Sequence, residues 1–182
     1  MSQPYHDALD AIDSGDTTGF NGARLAATVL LLRDSSEGIR VWIQERVHTM
    51  RTYPGHVVFP GGGVDPRDFP PRSWDSGELW AGQSVISMAR RMGVTKYKAH
   101  ALVFAAAREL FEEAGTLLAI REDGIVSDAS RYHRERELLE THEISFTEFL
   151  AHNGMRVDAD MLLPWSRWAG EFKNHWFDTF FF

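Results

Sequence analysis

The chain has 182 residues, no cysteine and a formal net charge of −7 at pH 7. That length suits one domain with a substantial core, and the missing thiols exclude disulfides, thiol catalysis and cysteine zinc centres. The acidic balance argues against a nucleic-acid surface, which needs clustered Lys and Arg, and no apolar run reaches the ~18 residues of a membrane span.

Residues 1–22 read as a polar lead-in, with a short helix at most over Tyr5 to Ile12. No signal-peptide pattern opens the chain, so a cytoplasmic location is the default expectation. Arg24 to Arg33 is a β-branched and leucine-rich run, Asp34 to Gly38 a loop, and Ile39 to Val47 alternates apolar and polar residues. The two runs read as a hairpin. A basic, turn-rich connection carrying Arg46 and Arg51 follows, and a short strand over Val57 to Phe59 delivers Gly61-Gly62-Gly63. Three glycines leave the backbone uncovered, which suits close approach of a metal or phosphate. Arg46 and Arg51 stand just before that string and are candidates to pair with a diphosphate, although most arginines are ordinary surface residues.

Residues 69–98 contain Trp74, Trp80 and a stretch, Ala81 to Met92, whose apolar residues repeat at helical spacing. Such a stripe is usually core packing; a lid over the site or a homodimer surface is the alternative. Ala105 to Gly115, AAARELFEEAG, is the most informative segment. On a helix Glu109, Glu112 and Glu113 stand at i, i+3 and i+4 within one arc of roughly 100°, opposite Val103, Phe104, Ala107, Leu110, Phe111 and Ala114. Taken alone, three such carboxylates are a solvated face; Arg108 beside them and Gly115 at the helix end favour a cation site. Leu117 to Arg121 reads as a strand or more helix, and Asp128 to Glu140 as a charged helix. Ser145 to Glu148 has the spacing of a capping box for a helix ending at His152. Strands are expected over Met161 to Trp168, bent by Pro164, and from Trp176.

Arg108 to Gly115, RELFEEAG, together with the glycine string, resembles the nudix box, G-x5-E-x7-R-E-U-x-E-E-x-G-U. Counting from Gly62, Asp68 stands where the family has Glu, thirty-two extra residues separate it from Arg108, and Thr116 replaces the final aliphatic residue. Loop closure entropy grows only logarithmically with length, so so long an insert still allows the two halves to meet. The FPGG-x-x-D-x-x-D string of Phe59 to Asp68, with a Trp-containing insert, is similar to the coenzyme A diphosphatases of the peroxisomal type and their bacterial relatives.

The resemblance implies an α+β fold, the nudix α/β/α sandwich with a mixed sheet, as a single domain over 1–182. The 69–98 insertion would lie between the halves of the box, and further structure is expected after Phe182. It also implies a hydrolase of a phosphoric anhydride in a nucleoside diphosphate linked to another group, acting with Mg²⁺ or Mn²⁺. Glu112 and Glu113 would be the main metal ligands, with Glu109 ligating or acting as base and a carbonyl near Gly62 completing the set. Arg108 would orient Glu109 or pair with Asp68. A base outside the box has no motif; Glu122, Asp123, Glu143, Asp158 and Asp160 are candidates. The partner would be a small nucleotide diphosphate such as coenzyme A, with dinucleoside polyphosphate, ADP-ribose and NADH as other substrates. A non-catalytic nucleotide-binding module competes with the enzyme. A P-loop reading fails for want of Gly-Lys-Ser/Thr after the glycines, and a dinucleotide fingerprint fails because position 66 is Pro66.

Overall fold

The computed structural model describes residues 15–48, 54–70, 79–172 and 174–182. The expected helix at Tyr5 to Ile12, Arg51 and Trp74 lie outside them. Strand β1 (Arg24–Thr28) turns Leu25 and Ala27 into the core. It ends earlier than its apolar run suggests, although the amides of Val29 and Leu30 still bond to the carbonyls of Pro60 and Phe182 on its two sides. The expected hairpin forms in a shorter version, from the end of one run and the start of the next: β2 (Leu32–Ser35) pairs with β3 (Gly38–Val41), and Ile39, Val41 and Ile43 are exposed despite their alternation. Alternation marks two faces; it does not say that either is covered.

Next, β4 (Gln44–Glu45) pairs with β5 (Val57–Val58). The glycines form a strand of their own, β6 (Gly61–Gly63), antiparallel to β1. The insert holds β7 (Trp80–Ala81) and helix α1 (Val85–Met92), capped by the Ser84 hydroxyl and closed by left-handed Gly93. The helix expected from Ala81 thus starts four residues later, since Trp80 and Ala81 join a sheet and Gly82 has φ +81°. Val85, Met88, Ala89 and Met92 of its stripe are buried.

Helix α2 (Lys96–Ala114) is the centre of the molecule. Thr95 caps its start, Gly115 in the left-handed region accepts its end, and the amide of Gly115 bonds to Phe111. It begins well before Ala105, so the last three residues of the insert are its first turn. It is also not two-faced as the spacing of its acids implies: nearly every residue from Tyr97 to Phe111 is buried. Ala99, Ala101 and Ala105 to Ala107 make this feasible, because small side chains let neighbouring backbones approach closely.

Beyond the box, Leu117 to Arg121 resolves as strand β8 (Ala119–Arg121), paired with β9 (Gly124–Ile125). A 3-10 turn over Ser130–Tyr132 leads into α3 (His133–Glu140). Helix α4 (Phe146–His152) has the expected capping box, Ser145 and Glu148 bonding reciprocally. It is followed by β10 (Arg156–Asp158), β11 (Ser166–Phe172) and β12 (His175–Phe181). The strand expected from Met161 begins only at Ser166, because Asp158 accepts from the Asp160 amide at 3.1 Å and folds Ala159–Met161 into a 3-10 turn.

Two four-stranded sheets result, β11-β12-β1-β6 and β7-β10-β8-β9. Both are mixed: β12 runs parallel to β1 and β7 parallel to β10, while the remaining pairs are antiparallel. Helix α2 packs on β1 and β6, which sets its acidic turn against the glycine strand.

Candidate active site

Asp65 opens a short turn, Pro66–Asp68, by accepting from the Arg67 amide at 2.8 Å, and its own amide donates to Asp68 Oδ2 at 2.9 Å. Arg67 also holds Asp65 down to a pKa of about 2 through its side-chain hydrogen bonds. This turn presents Asp68 to α2, and Arg108 meets it with two parallel bonds: Nε to Oδ1 at 3.1 Å and Nη2 to Oδ2 at 3.0 Å. The insert thus leaves the two halves of the motif in direct contact.

Arg108 is 6% exposed and donates beyond Asp68, to Gly63 O at 3.0 Å, Glu109 Oε1 at 2.8 Å and Glu112 Oε2 at 3.2 Å. It both pairs with Asp68 and orients Glu109. Burial alone would favour deprotonation of Arg108, but Asp68, Glu109 and Glu112 outweigh it and hold the guanidinium more firmly protonated than usual. Glu113 lies one step round the helix, where its Oε2 accepts from the Gly61 amide at 2.9 Å and from Gln44 at 2.7 Å.

The carboxylates are not the solvated face that their type alone suggests. Burial raises Asp68, Glu109 and Glu113 above their ordinary values and carries Glu112 to about 7, against the pull of Arg108. Glu112 Oε1 is buried without any hydrogen bond. A buried acceptor left unpartnered costs about 1–3 kcal/mol, so an approaching cation would be stabilised there. Gly62 serves the same cluster by having no side chain: a Cβ there would stand 2.6 Å from Glu109 Cδ.

An all-oxygen set of carboxylates with a carbonyl nearby suits a hard divalent ion. Among the described residues no three His, Asp or Glu side chains are arranged to enclose a metal. Arg108 Nη1 instead stands between Glu109 and Glu112, and Glu113 Oε2 is taken by Gly61 and Gln44. The residues present fit the ion by donor chemistry and by the unpartnered oxygen of Glu112.

Of the two candidate substrate arginines, Arg46 is half-buried on the β4–β5 connection, close enough for its charge to favour ionised Glu113. Among the base candidates, Asp158 and Asp160 hold backbone amides, Asp160 that of Gln83 at 2.9 Å in the insert. Glu143 accepts from the Thr141 hydroxyl at 3.0 Å, and Asp123 lines a separate cavity.

Three contributors escaped the sequence reading. Gln44 looked like an ordinary strand residue. His142, on the turn between α3 and α4, has φ +59°, bonds Arg67 through its carbonyl and ring, and lies near enough to Glu109 to favour its ionised form. His100 is buried against Trp80 and Phe104, at centroid distances of 5.7 and 3.9 Å, with Nδ1 2.9 Å from the Asp68 carbonyl. Burial lowers it to about 3 and keeps it neutral, so Nδ1–H donates to that carbonyl. Its place eight residues before Arg108, about two helical turns, was the available signal.

No protein-family model matches the chain, and no curated protein matches it. Among solved structures the chain is similar to a NUDIX hydrolase from Alicyclobacillus acidocaldarius, at 27% sequence identity and a TM-score of 0.66, over 87% of this chain and 68% of that one. The α+β architecture with mixed sheets is thus a nudix fold, and the likeness supports a pyrophosphohydrolase.

Proposed function

We propose that this chain, carrying the nudix fold, is a divalent-metal-dependent hydrolase that cuts the phosphoric anhydride of a nucleoside diphosphate linked to another group, coenzyme A or one of its thioesters. The observation that carries the reading is the buried, unpartnered Oε1 of Glu112 in a cluster where one guanidinium serves three carboxylates. Coenzyme A is favoured by the Phe59 to Asp68 string and the Trp-containing insert.

In this reading Glu109, Glu112, Glu113 and the Gly62 carbonyl hold Mg²⁺ or Mn²⁺, which when bound neutralises charge on the bridging and departing oxygens. Arg108, fixed by Asp68, sets the angle of Glu109 and Glu112. The Gly61 amide and Gln44 hold Glu113 Oε2. Arg46, close enough for its charge to act on Glu113, would pair with a phosphate of the substrate. Water adds to one phosphorus as the bridging P–O bond breaks; the proton passes to a carboxylate of the cluster and the bridging oxygen leaves with the other phosphate. Glu109, oriented by Arg108 at 2.8 Å, is the carboxylate assigned to take that proton.

The test is product analysis after incubation of coenzyme A, NADH, ADP-ribose, a dinucleoside polyphosphate and a dNTP with Mg²⁺ or Mn²⁺, with Glu112→Gln as control. Release of 3′,5′-ADP from coenzyme A, lost in the variant, is expected. Cleavage of another compound alone would keep the hydrolase and discard coenzyme A, and no cleavage of any would overturn the catalytic reading.

A further inference from the structure

Among the described residues, α1, α2 and α4 are each followed by a glycine in the left-handed region: Gly93 at φ +66°, Gly115 at +67° and Gly154 at +61°. Helix α3 is not. The residue at the equivalent place is His142, at φ +59°, whose amide bonds to the Leu139 carbonyl at 2.9 Å while the Glu143 amide bonds to that of Leu138 at 2.8 Å. That pair of bonds closes a helix on one left-handed residue, and glycine is usual there because it has no Cβ to clash. The helix end accounts for the backbone of His142. It does not account for an imidazole, held at a conformational cost that glycine would not incur.

Arg67 fixes that ring. Its Nη2 stands 3.2 Å from His142 Nδ1, and its Nη1 donates to the His142 carbonyl at 3.2 Å. A guanidinium can only donate, so Nδ1 accepts and the proton of the neutral ring sits on Nε2. His142 is exposed, and its Nε2 has no partner among the described residues. Arg67 is itself anchored: Asp65 accepts from its Nε at 3.0 Å and its Nη2 at 2.9 Å, and the Thr147 hydroxyl of α4 donates to its carbonyl at 3.1 Å. The next residue, Asp68, carries the pair with Arg108. One turn therefore fixes both Asp68, on Arg108, and the imidazole, near Glu109.

We propose that His142 is a substrate-binding residue of this site: Arg67 locks its tautomer, and Nε2–H donates to a non-bridging oxygen of the bound diphosphate. The ligand in this inference rests on the hydrolase reading above. A neutral donor suits the place, because a fixed cation would pair with the carboxylates that are to hold the metal, whereas an N–H meets a phosphate oxygen without displacing it.

The test uses a backbone that the helix end prefers. His142→Gly removes the ring and relieves the left-handed strain, and His142→Asn keeps a residue tolerated there while shortening the donor. Both are compared with the wild-type full chain in thermal melts and in calorimetric titration with α,β-methylene-ADP and Mg²⁺, a diphosphate whose bridging carbon prevents hydrolysis. The expected result is that both variants melt no lower than the wild type while binding of the probe weakens about tenfold in His142→Gly, the equivalent of about 1.4 kcal/mol. With whichever compound the product analysis finds cleaved, KM should rise by a similar factor and kcat should hold, as for a contact made equally before and during reaction. Probe binding that is unchanged in both variants, or absent in the wild type at millimolar concentration, would overturn the inference. So would weaker binding accompanied by a lower melting temperature in both variants, since the ring would then be holding the turn. Turnover with binding indifferent to His142 would keep the hydrolase and discard this role; His142-dependent binding without turnover of any compound would keep the role and discard the hydrolase.

Discussion

Two Arg–Asp pairs in this protein are built from the same parts and behave oppositely. Asp178 accepts two bonds from Arg167, at 2.7 and 2.6 Å, and one from the Phe20 amide at 2.8 Å. Asp68 accepts two from Arg108 and one from the Asp65 amide. Both side chains are buried, at 0% and 2% exposure. Burial opposes ionisation in each; at Asp178 the Arg167 and Phe20 donors win and its pKa falls, whereas at Asp68 burial wins and its pKa rises. The deeper desolvation of Asp68 decides the direction, and the arginines differ as well. Arg167 is 38% exposed and serves one carboxylate, while Arg108 is buried and divided among Asp68, Glu109 and Glu112. A balanced pair joins β11 to β12; an unbalanced cluster stores negative charge that a cation would relieve.

Removing each arginine is the harshest trial of that contrast. Arg108→Met, in metal-free protein above pH 7, should cost about 3–5 kcal/mol in urea unfolding, as expected for stranding buried charge. Arg167→Met should cost less, about 1.5–3 kcal/mol, the worth of hydrogen bonds to one charged group. Equal losses would mean that the two sites differ only in position.

Removing a carboxylate should then separate function from stability. Glu112→Gln is expected to lower metal-dependent turnover by at least ~100-fold, the upper range for loss of groups that merely support a ligand, without lowering metal-free stability. Asp178→Asn should do the reverse, destabilising the fold while folded molecules keep their activity. A stable protein with full turnover after Glu112→Gln would remove Glu112 from the metal site.

The pH profiles should also run in opposite directions. Asp178 is depressed when folded, so its contribution is complete above the ordinary aspartate value near 3.8 and is lost as pH falls through its lower folded value. Glu112 is raised from 4.5 to about 7, so the folded state holds the proton more tightly and metal-free stability should fall as pH rises from 4.5 to 7. Thermal melts with chelator should show that neutral-side decline, and Glu112→Gln should flatten it; a profile that rises through this window in the wild type would contradict the cluster's charge excess.

The mildest probe is His100. His100→Phe keeps the stack on Trp80 and Phe104 but removes the donor to the Asp68 carbonyl, at a cost of about 1 kcal/mol, and should weaken metal affinity by loosening Asp68 and hence Arg108. His100→Asn, which can restore a donor at that position, should recover metal affinity more than stability. Identical metal affinity in both variants would limit His100 to packing.

Local rules of the chain determined a good deal. Arg108, Glu109, Glu112 and Glu113 had to share a helical turn because i, i+3 and i+4 positions adjoin, and Ser145, Glu148 and Gly115 marked their helix ends through bonds made within a few residues. The nudix fold, and the pyrophosphohydrolase activity that the structural likeness supports, were legible from that turn and the glycines. What residues far apart in the chain do to one another was not legible. The apolar run after Arg24 could not reveal that Leu30 would meet Phe182, nor the spacing of Ile39, Val41 and Ile43 that their strand would stay uncovered.

Tertiary structure decided the electrostatics for the same reason. The acidic turn reads as solvated in isolation, and becomes a cluster of carboxylates with raised pKa values only because α2 packs on β1 and β6 and the Asp68 turn joins Arg108. Gly62 acquires its meaning from the Glu109 carboxylate that fills its missing side chain, and His100 from a carbonyl thirty-two residues away. Sequence spacing governs geometry along one helix, where covalent pitch is short-ranged; burial and charge sharing depend on which distant surfaces fold together, and that is set by the packing of the whole chain.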